Sequence, residues 1–311
     1  MNHPYEPVPH QPVLYHEVLD ALRPESDKYY VDGTLGAGGH AEGILHRSEP
    51  LGKLVGLDLD PQALAISNKR LSLFGERVIT QQASYLLLPE ILNQLGWHQV
   101  HGILLDLGVS SMQIDQPGRG FSFQAEGPLD MRFNRETGLS AADLVNTLSE
   151  ARLSKVLWEF GEERFSRRIA RAIVAARPIN TTTELADLIK KEIPGYESHI
   201  HPATRTFQAL RIATNQELET LSKALPNLVS CLAAGGRIAV ISFHSLEDRI
   251  VKQFFKKEGQ DCICPPERPV CTCGHVASLK LITKKPIRPT QDEIIRNPRS
   301  SSAKLRVAEK I

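Results

Sequence analysis

The chain contains 311 residues, of which 41% are hydrophobic and 23% are charged, and its formal net charge is +1. This composition is ordinary for a globular protein with one large domain or two, and the near-neutral total charge does not by itself indicate a nucleic-acid partner. No apolar run approaches the roughly 18 to 20 residues that cross a bilayer. The first residues also lack the basic and apolar regions of a secretion signal. We therefore expect a cytoplasmic protein without membrane contact.

The N-terminal part of the chain alternates short apolar runs with helical patterns, which predicts an α/β fold with a parallel sheet wrapped by helices. The predicted strands are residues 29–32, 53–59, 77–81 and 100–107. The predicted helices are residues 40–47, 61–73 and 86–95.

The pattern changes after the fourth predicted strand. Residues 108–138 are rich in Gly, Pro, Ser and Gln and predict a loop. Helices are predicted next, at residues 141–148, 150–160, 164–176, 183–193 and 202–221. Sheet signals then return, with a turn at 233–236, a strand at 237–242, a helix at 246–257 and a short strand at 279–283. We predict one α/β domain, residues 1–112 and 223–311, interrupted by an all-helical insertion at 113–222.

A glycine-rich loop follows the first predicted strand and precedes the first predicted helix. Its glycines Gly36, Gly38 and Gly39 allow a tight turn and the close approach of a ligand. Asp58 ends the next strand, where a carboxylate can accept hydrogen bonds from ribose hydroxyls. The same pattern fits a dinucleotide-binding enzyme, and glycines that serve only the turn would also produce it.

Two further acidic residues favour S-adenosylmethionine over a dinucleotide as the cofactor. Asp32 precedes the loop, where it could bind the ammonium group of the methyl donor. Asp106 ends the fourth predicted strand, and no second nucleotide-binding half is evident in the sequence. We therefore predict S-adenosylmethionine as the cofactor.

Residues 106–113 leave the carboxyl end of a strand, where open α/β sheets place their chemistry. Methyl transfer to a base amine is an in-line displacement that requires a positioned acceptor. Asp106 and Ser110 could accept the amine hydrogens, although Ser110 could equally serve ordinary turn chemistry. Residues 242–249 lie at another predicted strand end, and their polar side chains, including His244, could line the acceptor pocket or merely start a helix.

Two features predict contact with RNA. Aromatic residues and arginines alternate in residues 119–133, a pattern that can stack a flipped base and hold phosphates, although the phenylalanines could instead anchor the loop to the core. Residues 276–311 contain nine basic and three acidic residues, which indicates either phosphate contact or a solvated face. The predicted RNA contacts are Arg119, Phe121, Phe123, Arg132, Arg164, Arg205, Lys284, Arg288 and Arg299.

The five cysteines are predicted to be reduced thiols or metal ligands, because no secretion signal accompanies them. Cys231 is expected to be buried as a small apolar residue. The other four, Cys262, Cys264, Cys271 and Cys273, lie in a proline-rich segment and are a candidate zinc site. Only one residue separates the members of each pair, whereas structural zinc sites usually have two to four. An incidental set of thiols in a reduced loop is the alternative, and no metal is predicted.

With these motifs assembled, the chain resembles the bacterial 16S ribosomal RNA cytosine-N4 methyltransferase family (the RsmH, or MraW, family) almost end to end. The resemblance is carried by residues 31–40, 56–61, 106–115, 119–123, 130–133, 161–166, 201–211, 242–249, 283–286 and 297–300. It implies a class I, Rossmann-like methyltransferase fold with an inserted helical domain. It also implies methylation of the N4 amine of a decoding-site cytidine in the small ribosomal subunit. The donor-site positions that it implies here are Gly38, Gly39, His40, Asp58, Tyr85, Asp106 and Gln113.

Other functions and partners stay open at this point. An RNA-binding assembly factor could hold the cofactor and transfer nothing. A DNA amine methyltransferase would carry an Asp/Ser-Pro-Pro-Tyr-like segment where this chain has Asp-Leu-Gly-Val at residues 106–109. The predicted partner is 16S ribosomal RNA within the small subunit, and a homodimer is left open.

Overall fold

The computed structural model of the protein describes residues 12–193, 201–265, 268 and 270–311. Within these ranges the strands are β1 Tyr29–Asp32, β2 Lys53–Asp58, β3 Val78–Gln82, β4 Val100–Asp106, β5 Leu232–Ser242, β6 Leu279–Leu281 and β7 Lys304–Lys310. The helices are α1 Tyr15–Leu22, α2 Gly39–Arg47, α3 Pro61–Leu71, α4 Leu88–Leu95, α5 Ser111–Asp115, α6 Ala141–Thr147, α7 Glu150–Gly161, α8 Ser166–Ala176, α9 Thr182–Glu192, α10 Thr204–Asn215, α11 Glu217–Ser230, α12 Ser245–Glu258 and α13 Gln291–Arg296. None of the helices in these ranges is long and apolar enough to cross a membrane.

The chain divides into two compact units. The first consists of the described residues up to Gly108 together with Leu221–Ile311, and the second is Val109–Thr220. The first unit contains all seven strands, and the second is built from helices and loops.

The first unit contains a seven-stranded sheet in the order β3-β2-β1-β4-β5-β7-β6. The five strands from β3 to β5 are parallel, and β7 is antiparallel to both β5 and β6. The chain runs outward from β1 to β3 and then returns to place β4 on the other side of β1. Such a reversal opens a crevice at the carboxyl ends of β1 and β4, where open α/β sheets bind ligands. The predicted α/β class and Rossmann-like sheet are confirmed.

Both faces of the sheet are covered by helices, so the central strands are apolar on both sides. Adjacent residues of a strand point to opposite faces; Leu104 belongs to one buried cluster and Leu105 to the other. Helices α1, α2 and α3 contribute to the cluster of Leu104, and α4, α11 and α12 contribute to that of Leu105. Cys231 lies in the Leu105 cluster with 7% of its surface exposed, which confirms its predicted burial.

The helical unit has its own apolar core, which draws on α6 to α10. Two of the helices that form this core begin with reciprocal capping boxes, in which a side chain at each position accepts a backbone hydrogen bond from the other. Ser140 and Asp143 cap α6 in this way, and Thr181 and Glu184 cap α9. At the end of α7, the backbone of Gly161 lies so close to α10 that an added Cβ would be 2.5 Å from the Arg205 carbonyl oxygen.

The structure corrects four details of the predicted elements. The predicted helix 202–221 is two helices, because Gln216 adopts a left-handed conformation with φ of 51° between them. The predicted loop 108–138 contains the short helix α5. The predicted turn at 233–236 lies inside β5, where the pairing with β4 shifts register. The last strand is β7 rather than residues 279–283. Charged residues at the ends of β7 hide the alternation of apolar and polar side chains that would indicate a strand.

The close contact at Gly161 predicts a stability loss on adding one methyl group. Gly161→Ala should lower the free energy of unfolding by about 1–3 kcal/mol, because α10 backbone must move to admit the Cβ. Gly118→Ala is the matched control in the same unit, since its Cβ would meet no atom within 4 Å. Urea denaturation followed by circular dichroism measures both variants. Equal midpoints for the two variants would contradict the packing argument.

Candidate active site

The glycine-rich loop between β1 and α2 is tied to both neighbouring strands. The Gly33 N–H donates to the Leu104 carbonyl on β4 at 2.9 Å, and the Leu35 N–H donates to the Leu57 carbonyl on β2 at 2.8 Å. Gly36 and Gly38 have φ of +51° and +79°, a backbone conformation that side chains other than glycine rarely adopt. The loop is therefore shaped by its glycines and held over the carboxyl edge of the sheet.

Gly33 is packed too closely against its neighbours to carry a side chain. A Cβ at this position would lie 2.6 Å from Cδ2 of Leu105 and 3.0 Å from Cβ of Tyr85. Tyr85 packs partly buried against the adjacent core, in the short helical turn after β3. The structure thus brings Tyr85 to the start of the loop, as a donor-site residue would require.

Three aspartates end three adjacent strands of the sheet: Asp32 on β1, Asp58 on β2 and Asp106 on β4. The Asp58 carboxylate accepts the Gly36 N–H at Oδ2 and the Asp60 N–H at Oδ1, both at 2.8 Å. Asp58 therefore holds the backbone of the loop in place at Gly36. The two oxygens of a carboxylate offer about four acceptor positions, so Asp58 keeps acceptor capacity for another donor.

Asp106 has an incompletely satisfied carboxyl group. Its backbone N–H donates to Oγ1 of Thr34 at 2.6 Å. Its Oδ1 is buried and has no hydrogen-bond partner in the described part of the chain, and its Oδ2 lies 3.7 Å from Nε2 of His40. A buried polar atom without a partner is costly, and such an atom at a strand end indicates a position for a ligand.

The electrostatics of the site favour the neutral forms of Asp106 and His40. Burial, followed by the nearby carboxyls of Asp32 and Glu247, raises the pKa of Asp106 to about 8. Burial raises the pKa of Asp32 to about 7, with a smaller contribution from Asp58. Burial also lowers the pKa of His40 to about 4. At neutral pH the His40 ring is uncharged and the Asp106 carboxyl keeps its proton, so the two do not form an ion pair.

Glu247 lies within the predicted pocket segment 242–249 but was not singled out as a site residue, and it contributes to the pKa of Asp106. It lies in the first turn of α12, where its buried carboxylate accepts the Phe243 N–H at 3.0 Å. His244 is the N-cap of this helix; its Nδ1 accepts the Glu247 N–H at 3.4 Å, and its Nε2 is 3.1 Å from Oε1 of Glu247. The capping pattern was visible in the sequence, but the proximity of Glu247 to Asp106 depends on the pairing of β4 with β5.

Ser110 and Gln113 belong to the helical unit. Ser110 caps α5: its Oγ accepts the Gln113 N–H at 3.2 Å, and Oε1 of Gln113 accepts the Ser110 N–H at 3.1 Å. This reciprocal arrangement is the turn chemistry that the sequence left open for Ser110. Roles of these two residues toward donor or acceptor stay predictions.

The predicted RNA contact at Arg119 needs correction. The side chain is only 4% exposed, and its Nη2 donates to the carbonyls of Arg132 and Phe133 at 3.1 and 3.0 Å. A guanidinium buried against backbone oxygens supports the loop and does not present its charge to a phosphate. Arg132 is likewise engaged, with Nε 2.8 Å from the Asp130 carboxylate.

The two predicted stacking aromatics contribute to the core of the helical unit. Phe123 lies edge-on to Phe207 with ring centroids 4.8 Å apart, and Phe121 stacks on Phe133 at 5.6 Å. Both are partly buried against the apolar cluster of this unit, which favours the anchoring alternative. The remaining predicted RNA contacts are exposed: Arg164, Arg205, Lys284, Arg288 and Arg299.

The raised pKa of Asp106 predicts how stability depends on pH. Between pH 4 and 8 the folded chain holds a proton that the unfolded chain has released, so the free energy of unfolding falls as pH rises through this window. Asp106→Asn should abolish this decrease in the free energy of unfolding, which amounts to at most about 1.4 kcal/mol per pH unit. The stability of the variant relative to the parent should therefore increase from pH 5 to pH 8.

Urea denaturation in steps of pH measures this difference. Asp187→Asn, at an exposed position on α9, is the control and should keep a constant difference from the parent. A pH-independent difference for Asp106→Asn would show that the carboxyl is already ionised in the folded protein.

Comparison with known proteins places this site in an enzyme family. The family model described as "MraW methylase family" matches residues 7–311. A Dehalococcoides mccartyi protein named ribosomal RNA small subunit methyltransferase H is 54% identical over 303 residues, covering 97% of this chain and 87% of that protein. A Heliobacterium mobile protein of the same name is 50% identical over 308 residues, covering 97% and 99%. The predicted enzyme class, methyltransferase, is confirmed, and the chain belongs to the MraW methylase family.

Proposed function

We propose that this protein transfers the methyl group of S-adenosylmethionine to the N4 amine of a cytidine in the decoding region of 16S ribosomal RNA. The observation that carries the proposal is the partnerless Oδ1 of Asp106 at the end of β4, beside Asp32 and the glycine loop, in a chain of a methylase family. The name shared by the relatives, ribosomal RNA small subunit methyltransferase H, supports the RNA substrate.

The residues at the sheet edge fit S-adenosylmethionine. The bound donor supplies a methyl group on a sulfonium, and it carries a second positive charge on its ammonium. Asp32 and Asp106 would face these charges, and the spare lone pairs of Asp58 would accept the ribose hydroxyls. Tyr85, Gly38, Gly39 and His40 complete the proposed donor site.

The protonated state of Asp106 becomes important when a cation binds beside it. An adjacent positive charge favours the ionised form of a carboxyl and lowers its pKa. Donor binding would therefore release the proton that Asp106 holds at neutral pH. The resulting carboxylate is a stronger hydrogen-bond acceptor than the neutral acid.

A charged Asp106 suits the proposed acceptor. The lone pair of the cytosine amine is delocalised into the ring, and an acceptor that holds an amine hydrogen localises this lone pair for the in-line displacement. We assign this role to Asp106, with Ser110 and His244 as further candidates for positioning the base. A protein that only bound RNA would have no use for an unsatisfied carboxyl at the strand end, which disfavours the assembly-factor alternative.

The helical unit is proposed as the RNA-recognition domain, together with the basic C-terminal segment. Arg164 and Arg205 are exposed on the helical unit, and Lys284, Arg288 and Arg299 are exposed on the sheet unit. Exposed cations of this kind bind the phosphate backbone without reading sequence. We propose the small ribosomal subunit as the partner and the cytoplasm as the place of reaction. The homodimer stays open.

The proton release predicts that donor affinity depends on pH. The Kd for S-adenosylmethionine should fall as pH rises from 6 to 7.5, by up to about tenfold per pH unit for each proton released. Calorimetry in two buffers of different ionisation enthalpy counts the protons. Asp106→Asn should release fewer, whereas Asp187→Asn should match the parent. A Kd that is constant over this range would refute the proton-release step.

The reaction itself is tested with labelled S-adenosylmethionine and small subunits that lack the modification. Label is expected on the N4 amine of a cytidine in the RNA, and Asp106→Ala should reduce transfer by roughly 10²-fold or more while it binds RNA normally. Asp187→Asn serves again as the control. Absence of label with a subunit preparation of proven competence would overturn the proposed function, and unchanged transfer by Asp106→Ala would overturn the assigned role.

A further inference from the structure

The segment between α12 and β6 brings four thiols together. Cys262 Sγ lies 3.4 Å from Cys271 Sγ and 3.9 Å from Cys273 Sγ, and the last two are 3.5 Å apart. With Cys264 included, all four Sγ atoms lie within 4.8 Å of one another. The two Cys-x-Cys pairs are separated along the chain and meet in space, so the short spacing within each pair does not prevent a joint site.

These separations match a metal-centred tetrahedron. A Zn²⁺ ion with four thiolates has Zn–S distances of about 2.3 Å, which places neighbouring sulfurs about 3.8 Å apart. The three S–S distances of 3.4, 3.5 and 3.9 Å bracket this value. Thiols that were incidental to the loop would have no reason to point to one centre, since three of the four are exposed and gain little from burial.

One backbone hydrogen bond within the cluster is directed at a sulfur, because the Cys264 N–H donates to Cys262 Sγ at 3.4 Å. The thiolate is the form that binds metal.

In the described part of the loop, the apolar side chains are exposed and form no core that would hold its tip. Val270 is 70% exposed and Val276 is 74% exposed. The base of the loop is fastened separately, because the Ser278 N–H donates to the Glu258 carbonyl at 2.8 Å and His275 Nε2 lies 3.0 Å from the Lys257 carbonyl oxygen. A cross-link among the four sulfurs would order the tip, as structural metals do in small domains without a sufficient core.

We propose that Cys262, Cys264, Cys271 and Cys273 bind one structural Zn²⁺ ion. Four thiolates select a soft or borderline cation over Mg²⁺ or Ca²⁺. Four protein ligands close the coordination sphere, which is typical of structural and not catalytic zinc. Each bound thiol gives its proton to solvent, and no electron transfer is involved. The site is separate from the aspartates of the sheet edge, and it does not depend on the proposed reaction.

The test is elemental analysis of the full-length protein, expressed with zinc in the medium and purified without chelator. We expect close to one zinc per chain, with the four thiols unreactive to a thiol reagent until a chelator is added. Cys262→Ser and Cys273→Ser should each lose the metal. Cys231→Ala, which removes a thiol elsewhere, and His275→Ala, which removes an imidazole at the loop base, should keep it.

Cobalt substitution in the parent protein provides a second measurement that does not depend on the folding of a variant. Tetrahedral thiolate coordination gives intense visible absorption, which should appear with Co²⁺ and disappear on addition of Zn²⁺. Protein without zinc and without this absorption would overturn the proposal. Recovery of the four cysteines as two disulfides, or full zinc content in both serine variants, would also overturn it.

Discussion

The central constraint on this protein is the burial of carboxyl groups at the carboxyl edge of its parallel sheet. Asp32 and Asp106 end the two strands on either side of the point where the strand order reverses; burial raises the pKa of both carboxyls, and the charge of Asp32 raises the pKa of Asp106 further. The cost of an ionised carboxylate in such a place is several kcal/mol unless a partner compensates it. The Asp106 carboxyl, with its pKa raised to about 8, therefore holds a proton at neutral pH, and we propose that a positively charged ligand binds beside it.

The glycine loop is the second half of this arrangement. Its amides contact β2 and β4, and Asp58 holds the Gly36 N–H, so the loop is positioned by the same strands that carry the aspartates. Because Gly36 and Gly38 occupy the left-handed region, the loop keeps its shape at little conformational cost.

The helical unit and the cysteine loop lie outside the sheet, and each is stabilised in its own way. The helical unit has a separate apolar core and capped helices, and Arg119 supports its loop from the inside. The described part of the cysteine loop lacks such a core, and we propose that a metal ion bound by its four thiols stabilises it instead. The exposed arginines and lysines lie outside both cores, where charge is available to RNA phosphates.

Much of the fold and the donor edge could be predicted from local patterns. The strand and helix order from β1 to β4, the positions of the loop glycines and the aspartates at strand ends follow from periodicity and from the backbone needs of individual residues, which are local properties. The break at Gln216, the strand β7 and the internal role of Arg119 escaped prediction because their causes lie in distant parts of the chain. Distances through space between residues far apart in sequence set the remaining properties. These are the pKa of Asp106, the contribution of Glu247 to that pKa and the convergence of the four thiols. The sequence by itself thus determined which groups stand at the ends of the strands, and only the tertiary structure decided their protonation and their partners, because burial and proximity exist only once the chain has folded.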